Sequence, residues 1–283
     1  MDIKLILLDL DGTLLNSDKA LSDVNRRALE GAAAQGVHIV PASGRVWGGM
    51  PEAVRSLPFV PYAVGANGAQ VYDVTANQVI HRAEIPLDLA QKVYDYLDTL
   101  PVIYDCYLDG NGYIDRRHYE RIDEFITVPA INRMAKTIRQ PVEDFRGFIT
   151  AQGRSLQKMQ MFFRDSDMDR REQELTALAR MFPQLAVTSS IYNNIEMNIQ
   201  TATKGEALVF LARHLGIAVQ DTMAFGDKSN DLSMIRAAGL GVAMGNADGD
   251  LLAAADYITD TNDRNGVAQA LERFVLCDNS GTQ

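Results

Sequence analysis

An almost unbroken apolar stretch, Ile3 to Leu8 with only Lys4 interrupting it, stops at Asp9-Leu10-Asp11-Gly12-Thr13-Leu14. It is too short for a membrane span or a secretory h-region. Its lack of polar alternation suits a strand covered on both faces, as the strands of parallel sheets are. Such sheets bind ligands outside the carboxyl ends of their strands, so the two aspartates stand at the edge where chemistry is expected. A bare Asp-Gly is ordinary turn chemistry. Five specified residues together are not: at average usage they match by chance with a probability well under roughly one in a thousand.

The rest of the chain supports an α/β fold with a doubly wound, Rossmann-like parallel sheet. Ser22 caps an expected helix that runs to about Gln35 and is stopped by Gly36. A strand follows at 37–42, then a short helix near 50–57, a strand at 62–64 and a hairpin over 71–81. After about residue 204 a βα rhythm resumes, with helices at 204–215, 229–238, 247–254 and 264–276 and strands at 222–226, 240–243 and 256–258. Between them the texture changes. Helices at 86–99, 118–126 and 167–182 are interspersed with strands at 102–108, 112–116, 146–151 and 157–163, which reads as an inserted α+β unit. The boundaries predicted are 1–83 and 191–283 for the core and 84–190 for the insertion, with a half-buried strand at 194–199 returning to the core.

Three further groups follow strands or open helices. Ser43-Gly44-Arg45 ends the strand 37–42, where a hydroxyl and a glycine N–H can both donate to a phosphate oxygen. Thr203-Lys204-Gly205 opens a helix, where an ammonium and the helix N-terminus favour a phosphoryl group. Gly226-Asp227-Lys228-Ser229-Asn230-Asp231 follows an apolar strand. There Asp227 can complete an octahedral oxygen site for Mg²⁺, and Asn230 and Asp231 can orient ligands or phosphate. Taken singly, a Ser-Gly turn, a surface lysine and an Asx-rich cap are all common. Together they supply what phosphoryl transfer needs: an acid that can attack, a second that can carry a proton, a metal carboxylate and fixed positive donors.

Composition excludes several other classes. With 47% hydrophobic and 23% charged residues in 283, disorder and coiled coil have no support, and two domains fit the length. A formal charge of −10 works against nucleic-acid binding. Two cysteines, Cys106 and Cys277, make neither a disulfide framework nor a CxxC site and fit a reducing cytoplasm. The glycines of 239–245 miss the dinucleotide spacing, the four histidines lack HExxH spacing, and Ser43 has no GxSxG elbow. The polar end from Cys277 reads as frayed, and no membrane or obligatory protein partner is called for.

In these four motifs and their order the chain resembles the haloacid dehalogenase-like phosphatases of the Cof type, the branch with a large type IIB cap. The branch's Asn-Gly-Ala element stands at Asn67-Gly68-Ala69. The resemblance implies Asp9 as nucleophile and Asp11 as general acid and base, with Asp9, the Asp11 carbonyl and Asp227 holding Mg²⁺ and Asp231 supporting that shell. It implies phosphate contacts from Ser43, Gly44, Lys204 and Asn230. Ser43 replaces the commoner threonine, and Pro41 requires a strand position that needs no N–H. The expected function is hydrolysis of small phosphate monoesters, such as sugar phosphates, through an aspartyl-phosphate, with the inserted unit as a lid whose Arg116 or Asn193 tunes substrate choice. A mutase-like phosphotransferase and a non-catalytic phospho-ligand sensor are the alternatives.

Overall fold

The structure, a computed structural model, describes residues 2–276; Cys277 and the polar end lie outside the described residues. The strands in chain order are β1 (Leu5–Leu8), β2 (His38–Pro41), β3 (Tyr62–Gly65), β4 (Gln70–Asp73), β5 (Gln78–Arg82), β6 (Ile103–Leu108), β7 (Asn111–Asp115), β8 (Arg139–Val142), β9 (Lys158–Phe162), β10 (Leu185–Thr188), β11 (Asn194–Ile199), β12 (Thr222–Gly226), β13 (Leu240–Ala243) and β14 (Tyr257–Ile258). Two compact units result, one from the residues up to His81 and from Thr203 onward, the other Arg82–Ala202.

The first unit holds a parallel five-stranded sheet in the order β14-β13-β12-β1-β2. All four residues of β1 are fully buried, each contributing about 1.5–3 kcal/mol relative to exposure. Their faces alternate. Ile6 and Leu8 pack with Ala28, Leu29 and Ala32 of the helix Asp23–Ala34, while Leu5 and Leu7 pack with Ala207, Leu208 and Leu211 of the helix Lys204–His214. This double cover is why the sequence of β1 shows no polar alternation. Pro41 fits because the N–H groups of His38 and Ala42 face β1, donating to Lys4 and Leu8 carbonyls, and position 41 therefore faces away. A parallel bridge from Ala42 to Val64 leads on to the separate sheet β3-β4-β5.

The second unit is built on a six-stranded sheet, β10-β11-β9-β6-β7-β8, antiparallel except where β7 meets β8. Helices Leu87–Leu97, Phe145–Gln152 and Met168–Met181 cover one face, over Cys106, Met159, Met161, Ile195 and Met197. Two expectations change here. Residues 146–151 form a helix, because Asp144 caps it by accepting from Gly147 N–H at 2.9 Å and Gly153 ends it at φ 61°, which outweighs the strand-like Phe-Ile-Thr content. The strand at 194–199 is present but pairs with β10 and β9, so the chain leaves this unit at 202, eleven residues after 191. The sequence reading also left out β8, β10 and the helix Pro129–Ile138.

Candidate active site

Strand order places β1 at the switch point, with β12 on one side and β2 on the other. The segments leaving these three strands therefore carry Asp9, Asp227 and Ser43 at one edge. Asp9 is buried, and its backbone N–H donates to the Phe225 carbonyl at 3.0 Å, which ties it to β12. Gly12 turns the chain at φ 90°, and a Cβ there would collide with the Asp227 carboxylate. Thr13 then donates from Oγ1 to Asp227 Oδ1 at 3.0 Å. The motif Asp9–Leu14 thus folds back on the strand that bears the metal-type carboxylate.

Lys204, first residue of its helix, is fully buried, with Nζ 2.5 Å from Asp9 Oδ1 and 2.6 Å from Asp231 Oδ1. Asp231 also accepts at Oδ2 from the backbone N–H of Asp227 (3.0 Å) and Lys228 (3.1 Å), which fixes the loop after β12. Gly68, at φ 106°, lets the Asn67–Ala69 element lie against the Thr203 backbone just ahead of Lys204, where a side chain would clash. Asn67, itself at φ 60°, donates its backbone N–H to the Ser43 carbonyl at 3.1 Å and accepts at Oδ1 from Asn230 Nδ2 at 3.2 Å. Ser43 is buried, Gly44 packs against the Asn67 side chain, and the Ser43 hydroxyl accepts from Arg45 N–H at 3.2 Å.

One oxygen each of Asp9, Asp227 and Asp231 lies within 4.8 Å of the other two, and all three residues are buried. Burial pushes the Asp9 carboxyl up to about 8, against the pull of Lys204 and with the repulsion of Asp231 and Asp227 adding to it. Burial and Asp231 likewise raise Asp227 to about 6. Three acids around one buried ammonium are left with an excess of negative charge, and that excess suits a divalent cation with oxygen ligands. The Asp11 side chain turns elsewhere. Its Oδ2 is 2.6 Å from Arg45 Nη2 and its Oδ1 is 2.9 Å from Lys19 Nζ. Burial alone would raise its pKa, but Arg45 and Lys19 outweigh burial and hold it below the usual carboxylate range.

The expected residues from all four motifs are therefore present at this edge: Lys204 in contact with Asp9 and Asp231, Asp227 with a carboxylate oxygen within 4.8 Å of theirs, Asn230 reaching Asn67, and Ser43 and Gly44 beside it. The reading missed Thr13, Arg45, Lys19 and the bridging role of Asn67. Thr13 and Arg45 stood inside quoted motifs with no role, and Lys19 lay outside them. In the second unit Asn193 is fully buried and spends its amide on the backbone carbonyls of Phe125 (2.6 Å) and Phe163 (2.9 Å). That is packing, and it corrects the expectation that Asn193 tunes substrate choice. Arg116 is paired with Glu143. No helix among the described residues is long and apolar enough to cross a membrane.

A family model described as haloacid dehalogenase-like hydrolase matches residues 6–271. The chain is 33% identical over 276 residues to the 5-amino-6-(5-phospho-D-ribitylamino)uracil phosphatase YcsE of Bacillus subtilis, covering 98% of this chain and 97% of that one. It is 32% identical to the phosphatase YwpJ of the same organism, covering 96% and 100%. Its fold superposes on a solved haloacid dehalogenase-like hydrolase from B. subtilis with a TM-score of 0.80 at 29% identity, over 96% of this chain and 100% of that chain.

Proposed function

We propose, from the premise that the chain belongs to the haloacid dehalogenase-like hydrolase family and is a phosphomonoesterase, that it requires Mg²⁺ and cleaves small phosphate esters through an aspartyl-phosphate on Asp9. The observation that carries this reading is the buried contact of Asp9 with Lys204, beside Asp227 and Asp231, at the carboxyl ends of adjacent strands. Asp9, the Asp11 carbonyl and Asp227 would hold the Mg²⁺, with Asp231 behind them, and the ion supplies positive charge against the phosphoryl oxygens when bound.

The chain's own groups do the rest. Asp9, which without metal holds its proton up to about pH 8, would release it to solvent on metal binding. Its ionised oxygen attacks phosphorus while the ester P–O bond breaks, and the leaving oxygen takes a proton from Asp11. Because Arg45 and Lys19 keep Asp11 ionised in the free protein, that proton arrives with a monoester entering as its monoanion, whose second pKa is about 6. In the second half-reaction Asp11 takes a proton from water as the water oxygen attacks phosphorus. The bond to Asp9 breaks, and inorganic phosphate leaves. Lys204 holds Asp9 in place and offsets charge on the transferred group, and Ser43, the Gly44 N–H and Asn230 donate to its oxygens.

The substrate class follows the relative named for a phosphorylated ribityl compound, so we assign sugar phosphates and similar small metabolites. The unit 82–202 contributes no acid or cation to this set, and substrate choice is assigned to it. A cytoplasmic location belongs to the same reading and fits Cys106, which is buried and free. The test is phosphate release from a panel of small esters and phosphopeptides with Mg²⁺, with Ca²⁺ and after chelation, without any added acceptor. Release from small esters with Mg²⁺ alone is expected. Full activity after metal removal, or transfer only to an added hydroxyl compound, would overturn the reading.

A further inference from the structure

Asp11 is flanked by two cations that come from two separately anchored loops and face different oxygens. Arg45 hydrogen-bonds Oδ2, and the exposed Lys19 ammonium lies 2.9 Å from Oδ1 as a charge contact without hydrogen-bond geometry. We infer that Lys19 and Arg45 are positioning residues that fix both the place and the rotation of the Asp11 carboxyl, keeping it apart from the Asp9–Asp227–Asp231 cluster and free to serve the leaving oxygen. The inference rests on the reading of Asp11 as proton carrier.

A carboxylate two residues from Asp9 would otherwise be drawn toward Lys204 or a bound cation, where it would be of no use to a departing oxygen. A single half-exposed ion pair would not prevent this, since such pairs are worth about 0–1 kcal/mol. The grip on Asp11 differs in being built from rigid backbone. The Lys19 loop is closed by an antiparallel bridge between Leu15 and Leu21. Inside it, Asn16 accepts at Oδ1 from the N–H groups of Asp18 (3.1 Å) and Ala20 (2.9 Å), and Asn16 N–H donates to the Ala20 carbonyl at 3.0 Å. From outside, Ser17 donates from N–H and Oγ to Asp263 at 2.8 and 2.7 Å. Arg45 is held by its N–H on the Ser43 hydroxyl (3.2 Å) and by its carbonyl, which accepts from Ala66 N–H at 3.0 Å.

Lys19 itself sits at φ 62°. Glycine or asparagine takes this left-handed backbone at less cost than lysine, which pays roughly 1–2 kcal/mol there. The conformation alone therefore does not call for lysine. Its ammonium on Asp11 does.

The experiment compares kcat and KM of the full chain with Mg²⁺ on two esters. One is a sugar phosphate, whose alkoxide leaving group needs a proton; the other is p-nitrophenyl phosphate, whose leaving group departs without one. The variants are Arg45→Met, Arg45→Lys, Lys19→Met, Lys19→Gly and Asp11→Asn, each checked for an unchanged melting transition. Arg45→Met is expected to lower kcat/KM, which reports phosphorylation of Asp9 and departure of the alcohol, by about 10- to 100-fold on the sugar phosphate, part of the 10²–10⁴ that acid–base catalysis supplies, with a far smaller loss of kcat/KM on the nitrophenyl ester. Lys19→Met should do the same more weakly. Lys19→Gly, which relieves the backbone, should match it, and Arg45→Lys should recover part of the loss.

Equal losses of kcat/KM on both esters would overturn the inference. If Asp11→Asn discriminates between the esters and the cation variants do not, only the positioning role fails. If Asp11→Asn does not discriminate either, the proton-carrier reading fails first.

Discussion

In the second unit buried charges come in matched neighbours. Arg139 Nε contacts Asp105 across β7, and Lys158 Nζ meets Glu196 Oε1 at 3.1 Å between adjacent strands, with all four side chains at most 5% exposed. In the first unit Asp9 and Asp231 share the ammonium of Lys204, and a carboxylate oxygen of Asp227 lies within 4.8 Å of theirs. Both arrangements pay for desolvation. Only the second leaves charge unbalanced, and the imbalance lies at the switch point of a parallel sheet. Matched buried charge is what a sheet needs to hold polar residues inside, whereas unmatched buried acid invites a cation and a phosphoryl group.

The largest expected effect that separates the two regions is from Asp9→Asn. The amide cannot attack phosphorus, so phosphate release should fall to background. Removing one of three like charges should at the same time leave the metal-free chain as stable as before or more so. Circular dichroism melts beside a phosphate-release assay check this. A variant that keeps turnover would move the nucleophile, and one that unfolds would place Asp9 among structural charges like those of the second unit.

A smaller effect concerns pH. Asp9 is raised from 3.8 to about 8 and Asp227 from 3.8 to about 6, chiefly by burial. A carboxyl whose folded pKa exceeds its unfolded one binds more protons when folded, so stability falls as pH rises between the two values. In the metal-free protein the cluster should therefore contribute a loss of stability from about pH 4 to about pH 8, against the opposite slope of His38, His81 and His118, whose pKa values burial lowers. Mg²⁺, which binds the ionised acids of the folded state, should remove the cluster's share. Urea titrations across this range with chelator and with excess Mg²⁺ test it. Parallel curves would mean that the cluster holds no cation.

How much of this was legible in the sequence depends on whether a residue's partner is near in the chain or fixed by topology. Asp9, Ser43, Lys204 and Asp227 each follow or open a periodic element, and it was their conjunction with the Asp9–Leu14 motif, not any one position, that marked them. Strand 194–199 was visible from its alternation, but period two says nothing about which sheet a strand joins, and β11 joined β10 and β9. The segment 145–152 carries aromatic and β-branched residues, and its helix is decided by Asp144 and Gly153 at its ends. Lys19 lay outside every motif because its role depends on a left-handed turn that no periodicity encodes.

The smallest effect tests the matched side of the comparison. Arg139→Met alone strands a fully buried Asp105, whose Oδ2 would keep only the Gln160 amide at 3.1 Å, and breaking such a pair costs about 3–5 kcal/mol. Asp105→Leu alone strands the guanidinium, which retains the Ala135 carbonyl at 3.1 Å and the Phe162 ring. Replacing both removes the uncompensated charge as well as the attraction. The double variant should therefore be less destabilised than the sum of the singles by about 1–3 kcal/mol, the usual range for residues in direct contact. The Gln160 amide, left without its acceptor, keeps the double from being fully neutral. Denaturant midpoints of the four proteins give the coupling. Additive costs would show that Asp105 and Arg139 do not balance one another, and the second unit would then hold unmatched charge of the kind seen at the first unit's sheet edge.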